Sequence, residues 1–498
     1  MKTTNKFEID KNDLTIASKQ LWSKLEPYIY YLNNKEKEVV QLAFLQMVEA
    51  HSQQRRKSGE FYIIHPVEAT ITLAQIQLDV DTLAACLMHD VPEDTEVSLK
   101  DLEKIFSKEV VFLVFGITKL GKIKYQGIDR YAENLRKMFV AMSKDLRVVF
   151  IKLADRLHNL RTLKSLAPEK AYRIALESLE IYAPIAERLG MNYFKGEIED
   201  AAFPFVYPEK YKQFIQLSDV EIQKRQKNAK KLMKKMQILL DKEGVKNYTL
   251  KGRAKKYYSL FKKMETHDNT LDKIFDLVAL RIVVDSVDDC YTIFSMIHKV
   301  FEPVKGTMKD YINKPKPNGY QSLHISVRDT QTGQPFEIQV RTHDMDEFAE
   351  YGVAAHWAYK AKGAKVVDIF LDMENLKWIK DLVSLGKEEL DHEDYLNHVK
   401  LDLFKDRIFV MTPKGDVIDL PEGATPLDFA YKIHEEIGSH AFMAKVNDNP
   451  IKLSDSLKNG DVVTILTDRK QQPKLDWLKW VKTGQASKQI RAKLRKLK

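Results

Sequence analysis

The chain has 498 residues, which at the usual ~150 residues per domain predicts about three domains, each long enough to bury a sizeable core. Its composition, with 44% hydrophobic and 30% charged residues, is ordinary for a globular protein, and no repeat or low-complexity segment interrupts it. The N-terminus lacks the apolar core of a signal peptide, and the longest apolar run, near Val110–Phe115, is too short to span a bilayer. These features predict a cytoplasmic protein without a membrane partner.

The formal net charge of +9 is modest for this length but unevenly distributed. Basic residues cluster in three stretches, Lys224–Lys235, Lys251–Lys263 and Lys488–Lys498. Such clusters favour anionic ligands such as nucleotides or RNA, although a solvated helix face also explains any single cluster. The two cysteines, Cys86 and Cys290, lie far apart without metal-ligand spacing, which predicts core thiols in a reducing compartment.

The first ~200 residues are predicted to be nearly all helix, because apolar residues recur there at helical spacing. Within them, Leu87–Thr95 follows an apolar helical run and carries His89, Asp90, Glu93 and Asp94. If the turn stays roughly helical, Glu93 and Asp94 lie near the face of His89 and Asp90. So much acidity in one place is repulsive unless a cation balances it. The stretch therefore predicts a metal site whose other ligands come from elsewhere in the chain.

Further candidate ligands occur in the same helical region. His65 begins a predicted helix whose first turn contains Pro66, and Asp155 interrupts an apolar stripe in Ile151–Thr162. A single histidine or aspartate of this kind is more often structural, but the combined pattern favours metal ligands. Two imidazoles and two carboxylates suit a divalent ion such as Mn²⁺, with room for water and a phosphate oxygen. The predicted ligands are His65, His89, Asp90 and Asp155.

A charged helical stretch with an apolar stripe follows at residues 201–245, and the stripe predicts packing against a neighbour. An α/β region comes next, with predicted strands at Tyr248–Leu250, Phe275–Val284, Gln321–Val327 and Phe336–Val340.

Several charged residues of this α/β region suit a nucleotide. Arg253, Lys255 and Lys263 would converge on a polyphosphate if a helix continues from the first strand. Asp276, at the mouth of the second strand, and Glu337, on an adjacent strand, could hold Mg²⁺ between them, as nucleotidyl-type transferases require. The alternative is that both carboxylates are core-edge residues that bind backbone amides.

The segment Lys309–His324 carries a Lys-Pro-Lys-Pro-Asn-Gly loop, which cannot be a regular element and places Tyr320 just past a glycine. A purine can stack on such a ring while lysines bind its phosphates. Beyond it lies a small β-rich module with a predicted hairpin at Ile408–Asp416, a helix at Thr425–Ile433 and strands at residues 444–446 and 461–466.

These stretches resemble one known family. Residues 30–200 resemble the HD-type metal phosphohydrolase domain of the RelA/SpoT family, including Arg55–Glu60 before His65. The (p)ppGpp synthetase domain of the same family resembles three long contiguous segments, Lys309–His324, Glu337–Thr342 and Ala349–Lys360.

The β-rich module resembles the ubiquitin-like TGS domain of that family, including Asp428–Tyr431 and His434. The resemblance implies a multidomain fold, with an all-α hydrolase domain, an α/β synthetase domain on a mixed, nucleotidyltransferase-like sheet, and a small β-grasp TGS domain. The expected boundaries are hydrolase 1–200, helical linker 201–245, synthetase 246–365, helical linker 366–403, TGS domain 404–468, and the start of a further helical region at 469–498.

For the hydrolase, the resemblance implies that Glu93 and Asp94 activate the attacking water. It also implies that the guanosine nucleotide is held by Arg56, Lys57, Asn159 and Thr162. Pro92 departs from the family pattern, in which a small or β-branched apolar residue is expected. Proline removes an amide donor. We therefore expect this departure to affect the rate of hydrolysis more than the type of reaction.

For the synthetase, the resemblance implies that ATP is held by Arg253, Lys255, Ser259 and Lys263. Asp276 and Glu337 would carry Mg²⁺ and assist deprotonation of the acceptor 3′-hydroxyl, and Tyr320 would stack on guanine. The acceptor would be steadied by Lys309, Lys316, Asn318 and His324. Thr307 stands where bifunctional members usually carry arginine, which leaves the preference between GDP and GTP open.

The resulting hypothesis is a bifunctional enzyme that hydrolyses (p)ppGpp to GDP or GTP with Mn²⁺, and makes it from ATP and GDP or GTP with Mg²⁺, the two activities being antagonistic. The TGS domain implies contact with the ribosome and deacylated tRNA, with His434 as a candidate contact, or else a structural role. Alternatives are a hydrolase with a weak or silent synthetase, and a tRNA- and ribosome-binding regulator with vestigial enzyme domains.

Overall fold

The computed structural model describes residues 11–56, 58–118, 128–266, 278–304, 306–316, 318–328, 335–355, 357, 377–386, 395, 407–413, 417–458 and 460–496. The chain forms two compact units, Met1–Gly121 with Asp145–Asn375, and Lys122–Lys144 with Leu376–Lys498. Among the described residues, no helix is both long and apolar enough to cross a lipid bilayer.

The N-terminal half is helical, as the spacing of its apolar residues predicts. Its helices are α1 (Lys11–Leu25), α2 (Asn34–Ala50), α3 (Ile64–Gln75), α4 (Val80–Met88), α5 (Val91–Asp94), α6 (Leu99–Leu102), α7 (Lys108–Ile117), α8 (Ile128–Met142), α9 (Arg147–Arg161), α10 (Pro168–Glu177), α11 (Ala183–Arg188), α12 (Asn192–Val206) and α13 (Pro208–Lys242). All of these helices except α8 belong to the first unit.

Short polar side chains fix where several of these helices begin. Asn33 and Glu36 form a capping box at α2, and Asp79 and Ser107 accept amide hydrogen bonds at the starts of α4 and α7. Behind these caps, α3, α4 and α9 pack against one another with their apolar residues buried. The predicted start of a helix at His65 is observed, since α3 begins at Ile64.

A mixed sheet follows α13, with strands β1 (Thr249–Ala254), β2 (Val278–Val284), β3 (Glu302–Pro303), β4 (Lys309–Asp310), β5 (Leu323–Arg328) and β6 (Pro335–Thr342). The strand order is β1-β2-β6-β5-β3, with β4 paired to β5. The pair β2 and β6 is parallel and the other pairs are antiparallel. The mixed α/β fold predicted from the sequence is therefore confirmed. Its helices are α14 (Tyr257–Thr266), α15 (Val287–Val300) and α16 (His343–Tyr351).

The C-terminal half of α13 is part of this α/β core. Leu232, Met236 and Leu240 are buried in the same hydrophobic cluster as Ile282 of β2 and Ile338 of β6. The apolar stripe in the predicted linker therefore packs on the sheet. Helix α12, in contrast, packs against α9, α10 and α11 and also contacts α14 and α16. It thus joins the helical half of the first unit to the α/β half.

The second unit contains α17 (Lys377–Gly386), β7 (Arg407–Met411), β8 (Val417–Pro421), α18 (Pro426–Ile433), α19 (Glu435–Ser439), β9 (Ala441–Val446), β10 (Asn449–Ile451), β11 (Val463–Thr467), α20 (Trp477–Trp480) and α21 (Gly484–Lys496). Its strands form a β10-β9-β11 sheet and a β7-β8 hairpin. Trp477, Val481 and Ile490 share a buried core with Leu427 and Tyr431 of α18. The segment 469–496 therefore packs on the β-rich module that precedes it.

Helix α8 also belongs to the second unit, although the predicted hydrolase domain, 1–200, includes it. It packs against α17, and the Arg136 guanidinium lies 4.3 Å from the ring centroid of Tyr395. Helix α8 therefore packs against a helix that lies much later in the chain. The spacing of apolar residues within α8 cannot identify that helix.

Candidate metal centre and nucleotide sites

The four predicted metal ligands come together in the first unit, on α3, at the end of α4 and on α9. One ring nitrogen each of His65 and His89 and an oxygen of Asp155 lie within 4.8 Å of one another. Oδ2 of Asp90 lies 3.5 Å from Nε2 of His65 and 3.2 Å from Nε2 of His89. His65 and His89 are each 1% exposed and Asp155 is 5% exposed. Two imidazoles and two carboxylates therefore surround one buried point.

The hydrogen bonds of His89 show that this point suits a cation. Its Nδ1 lies 2.6 Å from the carbonyl oxygen of Cys86, so Nδ1 carries the proton and donates. Nε2 is buried without a hydrogen-bond partner and faces the carboxylates of Asp90 and Asp155. Although burial lowers it, these carboxylates raise the pKa of His89 to about 9. This position therefore suits a cation, and in the neutral ring the Nε2 lone pair would be directed at a divalent metal ion between the two carboxylates.

Neighbouring side chains orient these ligands, and the sequence analysis did not identify them. Nδ1 of His65 lies 2.8 Å from Nδ1 of His158, and burial lowers the pKa of His158 to about 3. His158 is therefore neutral, and in the tautomer in which its Nδ1 accepts from Nδ1 of His65, Nε2 of His65 is left to bind a metal. Lys152 donates to Oδ2 of Asp155 at 2.7 Å, and against burial its ammonium holds the pKa of Asp155 well below the usual range.

The two candidate catalytic carboxylates, Glu93 and Asp94, lie on the short helix α5 that follows His89 and Asp90. Pro92 occupies the first turn of α5, where helices tolerate proline because the amides there lack intrahelical acceptors. The amides of Glu93 and Asp94 both donate to the carbonyl of Asp90, at 3.1 and 2.9 Å. The departure at Pro92 therefore leaves the turn intact.

The predicted nucleotide-binding residues of the helical half form a polar cluster beside the ligands. Arg56 donates to Oγ1 of Thr162 at 2.8 Å and to Oδ1 of Asn159 at 2.9 Å. Asn159 also donates to Oδ1 of Asp155, which connects the cluster to the metal centre. Lys57 lies outside the described residues.

In the α/β half, one face of the sheet is polar because side chains alternate along each strand. Lys251 of β1 pairs with Arg281 of β2, Arg281 with Gln339 of β6, Gln339 with His324 of β5, and His324 with Lys309 of β4. Directly paired residues point to the same face. The sheet thus carries a row of polar and basic side chains. Within this row, Lys251 and Arg281 pair with Asp346, and Arg281 also pairs with Glu350 of α16.

A chain of hydrogen bonds on this face ends at Glu337. Arg341 donates to the Tyr320 hydroxyl at 2.7 Å, and that hydroxyl lies 2.8 Å from Nε2 of His324. Nδ1 of His324 lies 2.6 Å from Oε1 of Glu337. Burial lowers the pKa of His324, so the neutral ring accepts from Tyr320 and donates to Glu337. The structure therefore brings Tyr320, His324 and Glu337 together.

The face of the Tyr320 ring already has a cationic neighbour. The ammonium of Lys316 lies 5.1 Å from the centroid of Tyr320 and 4.8 Å from that of Tyr311. At these distances a lysine interacts favourably with both rings. A purine that stacks on Tyr320 would have to share the ring with Lys316 or displace it. Asn318 lies on the same loop, and its Oδ1 accepts from the amide of Tyr320 at 3.3 Å.

The predicted ATP-binding residues are only partly described. Asp276 and the side chain of Arg253 lie outside the described residues. Ser259, in the first turns of α14, donates to Oε2 of Glu199 at 3.2 Å. Glu199 lies on α12, next to Asp200, whose carboxylate accepts from the amides of Tyr257 and Tyr258 at 3.3 and 2.9 Å. Lys255 and Lys263, near α14, are both half-buried.

Where α12 contacts α14, the residues that α12 contributes are therefore partly acidic. Glu197 pairs with Lys256 and with Arg161 of α9. Burial raises the pKa of Glu199 to about 7 and also raises the pKa of Asp200. Carboxylates from the helical half thus occupy the amide end of the helix to which the sequence analysis assigned ATP.

Other residues have structural roles. Thr307, at the position of the family arginine, donates to the Val304 carbonyl at 2.7 Å and accepts from the amide of Ser326 at 3.1 Å. His434, in the second unit, is exposed and caps α19 by accepting from the amide of Glu436 at 3.2 Å. Cys86 and Cys290 are both free and buried, as expected of core thiols.

Comparison with known proteins identifies three domains in order. Residues 43–192 match the family model of the HD domain, residues 252–364 match the region found in RelA/SpoT proteins, and residues 408–467 match the TGS domain. These matches confirm the three folds predicted from the sequence.

Three curated relatives extend the likeness across most of the chain. Over 451 residues the chain is 44% identical to a probable guanosine-3′,5′-bis(diphosphate) 3′-pyrophosphohydrolase of Synechocystis sp., covering 90% of the chain and 59% of the relative. Over 469 residues it is 41% identical to the bifunctional (p)ppGpp synthase/hydrolase SpoT of Escherichia coli K12, covering 94% and 66%. Over 457 residues it is 44% identical to a GTP pyrophosphokinase of Streptomyces coelicolor, covering 89% and 54%.

The chain thus spans between 54% and 66% of the length of these relatives. Their identity to it extends through all three matched domains. Together, the HD, RelA/SpoT and TGS matches and the 41–44% identity to these relatives show that the chain belongs to the RelA/SpoT family.

Proposed function

We propose that the chain is a bifunctional alarmone enzyme of the stringent response. One head hydrolyses the 3′-pyrophosphate of (p)ppGpp to GDP or GTP and pyrophosphate, and the other transfers pyrophosphate from ATP to the 3′-hydroxyl of GDP or GTP. The observation that carries this proposal is the buried cluster of two imidazoles and two carboxylates beside Arg56, Asn159 and Thr162. The relatives named for hydrolase and pyrophosphokinase activities support both heads.

In the hydrolase head, the proposed ligands would hold Mn²⁺ through two imidazole nitrogens and two carboxylates. When bound, such an ion lowers the pKa of a water molecule and polarises a phosphate oxygen. Glu93 and Asp94, on the turn after the ligands, orient that water and accept its proton. Arg56, Asn159 and Thr162, together with Lys57, hold the guanosine nucleotide so that its 3′-pyrophosphate points to the water. The ligands are His65, His89, Asp90 and Asp155.

In the synthetase head, we assign Mg²⁺ to Asp276 and Glu337; when bound, the ion would neutralise charge on the transferred phosphates. Glu337, held by His324, accepts the proton of the acceptor 3′-hydroxyl. Tyr320 stacks on guanine through a ring face, and the ammonium of Lys316, which lies 5.1 Å from the ring centroid, moves to the acceptor phosphates. ATP is held by Arg253, Lys255, Ser259 and Lys263, and the acceptor phosphates are steadied by Lys309, Lys316 and Asn318.

The two activities must oppose one another, because together they would convert ATP to AMP and pyrophosphate without net product. We assign the coupling to α12, whose Glu199 and Asp200 contact the first turns of α14. Phosphates of ATP at Ser259 would lie beside these carboxylates and repel them. The buried stripe of α13 makes that helix part of the synthetase core, which argues against the linker 201–245 as the mobile element.

For the TGS domain we propose contact with deacylated tRNA on the ribosome. Its exposed His434 and the basic helix α21 are the groups that would reach RNA phosphates. The alternative, a structural module, is supported by the tail that packs into its core through Trp477.

The proposed activities are tested with the purified chain in two incubations, one with ppGpp and Mn²⁺ and one with ATP, GDP and Mg²⁺, followed by separation of the nucleotides. Bifunctionality predicts GDP in the first and ppGpp in the second. GDP alone would favour a hydrolase with a silent synthetase. Neither product would favour a tRNA-binding regulator with vestigial enzyme domains.

A further inference from the structure

Tyr62 lies in the turn before α3, three residues ahead of His65. Its hydroxyl is 2.6 Å from Oδ2 of Asp90 and 2.9 Å from Oδ2 of Asp94. One hydroxyl therefore joins a candidate metal ligand to a candidate catalytic carboxylate. The hydroxyl has a single proton, which it donates to one carboxylate or shares between the two, and so it bridges their side chains.

The Tyr62 ring is fixed by its neighbours. It stacks on His51, with the ring centroids 4.6 Å apart and an angle of 26° between the planes. The edge of His65 lies on another side, with the centroids 6.1 Å apart. The amide of Tyr62 donates to the carbonyl of Gln54 at 3.1 Å. The hydroxyl is thus presented to the carboxylates by a ring that has little freedom to turn.

Asp94 needs such a support because of where it lies. Helix α5 has only four residues, and a single turn gains little stability from its own hydrogen bonds. Gln54 donates to the backbone carbonyl of Asp94 at 2.6 Å, while Tyr62 binds its side chain. Two residues from the segment before α3 therefore hold both the backbone and the carboxylate of Asp94.

We propose that Tyr62 is a positioning residue of the hydrolase, which fixes the carboxylate of Asp94 relative to the metal ligand Asp90 through one shared hydroxyl. This inference rests on the proposed hydrolysis of (p)ppGpp. It assigns no bond-making step to Tyr62, which acts only through the two carboxylates. Groups that orient the ligands of a metal site commonly change metal affinity or activity by about 10–100-fold when removed.

Replacing Tyr62 by phenylalanine removes the hydroxyl and keeps the ring that packs on His51. Tyr31→Phe is the matched control, because the Tyr31 hydroxyl donates to the carbonyl of Leu78 at the same distance, 2.6 Å, in the same helical half of the first unit. Both variants lose one partly buried hydroxyl. A general loss of stability should therefore affect them alike, and thermal unfolding of the full chain measures it.

The expected result for Tyr62→Phe is a kcat for ppGpp hydrolysis, at saturating Mn²⁺, that falls by about 10–100-fold with KM within about twofold of the wild type. Tyr31→Phe should keep both parameters within about twofold. Titration with Mn²⁺ alone, followed by the electron paramagnetic resonance signal of the free ion, should show about tenfold weaker binding for Tyr62→Phe only.

The outcomes separate this inference from the function on which it rests. A wild-type chain that fails to hydrolyse ppGpp refutes the proposed function, and the Mn²⁺ titration still tests Tyr62: unchanged affinity in Tyr62→Phe would then overturn the inference. If the wild type is active, a kcat of Tyr62→Phe equal to that of Tyr31→Phe at saturating Mn²⁺ shows that the ring merely packs, and the positioning role is wrong.

Discussion

In the hydrolase head, the candidate metal ligands project from packed helices and lie almost wholly inside the protein. In the proposed synthetase head, the candidate binding groups lie on one polar face of a sheet, where several are also buried and many contact one another. Nε2 of His89 has no hydrogen-bond partner and is directed at two carboxylates. Tyr320, in contrast, has its hydroxyl bound by Arg341 and its ring beside Lys316. The first site directs its donor atoms at one point that suits a cation, whereas the groups of the second site contact one another.

The two sites should therefore differ in the free energy that ligand binding costs them. A site whose ligands are already fixed loses little conformational entropy on binding, whereas a site that must break contacts recovers only part of its interaction energy. We therefore expect removal of one group to be most damaging in the hydrolase head and milder in the synthetase head. The predictions below test this ranking, from the largest expected effect to the smallest.

Removing a metal ligand should have the largest effect. His89→Ala is expected to lower ppGpp hydrolysis by more than about 100-fold, because even the groups that only orient ligands account for about 10–100-fold. Mn²⁺ binding should weaken in parallel, and synthesis of ppGpp should stay within about twofold. Glu93→Ala is the control, since it should lose turnover and keep Mn²⁺. A Glu93 variant without bound Mn²⁺ would show that Glu93 is itself a ligand.

Removing the predicted guanine platform should cost less. Tyr320→Ala is expected to weaken GDP binding by about 1–3 kcal/mol, the range measured for bases stacked on aromatic side chains, with little change for ATP. Tyr320→Phe keeps the ring and loses only the hydrogen bonds to Arg341 and His324, so it should bind GDP nearly normally. Calorimetry with GDP measures both variants. Normal affinity in Tyr320→Ala would mean that the ring belongs to the core and does not stack on guanine.

The contact between the heads should transmit a similar amount of free energy. We expect ppGpp in the hydrolase of a Glu93→Ala variant to weaken binding of a non-hydrolysable ATP analogue with GDP by about 1–3 kcal/mol, the usual range of allosteric coupling. Reciprocity requires the nucleotides to weaken ppGpp by the same factor. Asp200→Asn, which weakens the hold on the amides of Tyr257 and Tyr258, should reduce this coupling.

Calorimetry of the ATP analogue with and without ppGpp measures the coupling, and a His65→Ala variant corrects for ppGpp that enters the synthetase directly. Identical affinities after this correction would mean that the two heads bind independently. Coupling of full strength in Asp200→Asn would exclude the α12–α14 contact as its route.

The buried carboxyl at this contact should make stability depend on pH. Burial raises the pKa of Glu199 from its ordinary value to about 7, so its folded form prefers the proton. A raised pKa contributes stability that is complete below the unfolded value and is lost as pH rises through the folded value. Unfolding free energy should therefore fall by about 1–3 kcal/mol between pH 5 and pH 8. Glu199→Gln, measured by urea unfolding, should lose most of this slope; an equal slope would assign it to other groups.

The smallest effect is expected at the residue that departs most visibly from the family pattern. Pro92 occupies the first turn of α5. The amide donor that proline lacks has no intrahelical acceptor there, so the turn keeps its hydrogen bonds. Pro92→Val should therefore change kcat for ppGpp hydrolysis by less than about twofold. A larger change in steady-state rate would show that proline alters the position of Glu93 or Asp94.

Much of the architecture could be predicted from periodicity. The starts of α3 and α18 and the strands β2, β5 and β6 lie where apolar spacing, proline and capping residues place them. Strands β3, β4 and β10 have only two or three residues, too few for any alternation to be visible. The packing of α8 on α17 could not be predicted either, because a helix's own amphipathic pattern does not identify its partner.

The ligand set of the metal centre could be recognised because clustered acidity near histidines demands a cation. The residues that orient it could not. His158 and Lys152 stand on α9 as ordinary polar interruptions of an apolar stripe, and Tyr62 lies 28 residues before Asp90. Their roles depend on contacts between distant segments, which no local pattern encodes. The contacts of Glu199 and Asp200 with α14 were missed for the same reason.

The two halves of the first unit also meet at a pair of glycines, Gly190 and Gly352. Gly352 has a φ of +57°, and a Cβ there would lie 2.0 Å from the Leu189 carbonyl oxygen, which accepts from the amide of Val353 at 3.0 Å. This contact carries no charge, whereas the nearby Glu197 pairs with Lys256 and Arg161. High ionic strength screens partly exposed ion pairs but leaves close backbone packing unchanged. Added salt should therefore weaken the Glu197 pairs alone, because Phe203 of α12 also packs on Leu260 and Phe261 of α14 in a buried cluster, and the two halves should stay in contact at high ionic strength.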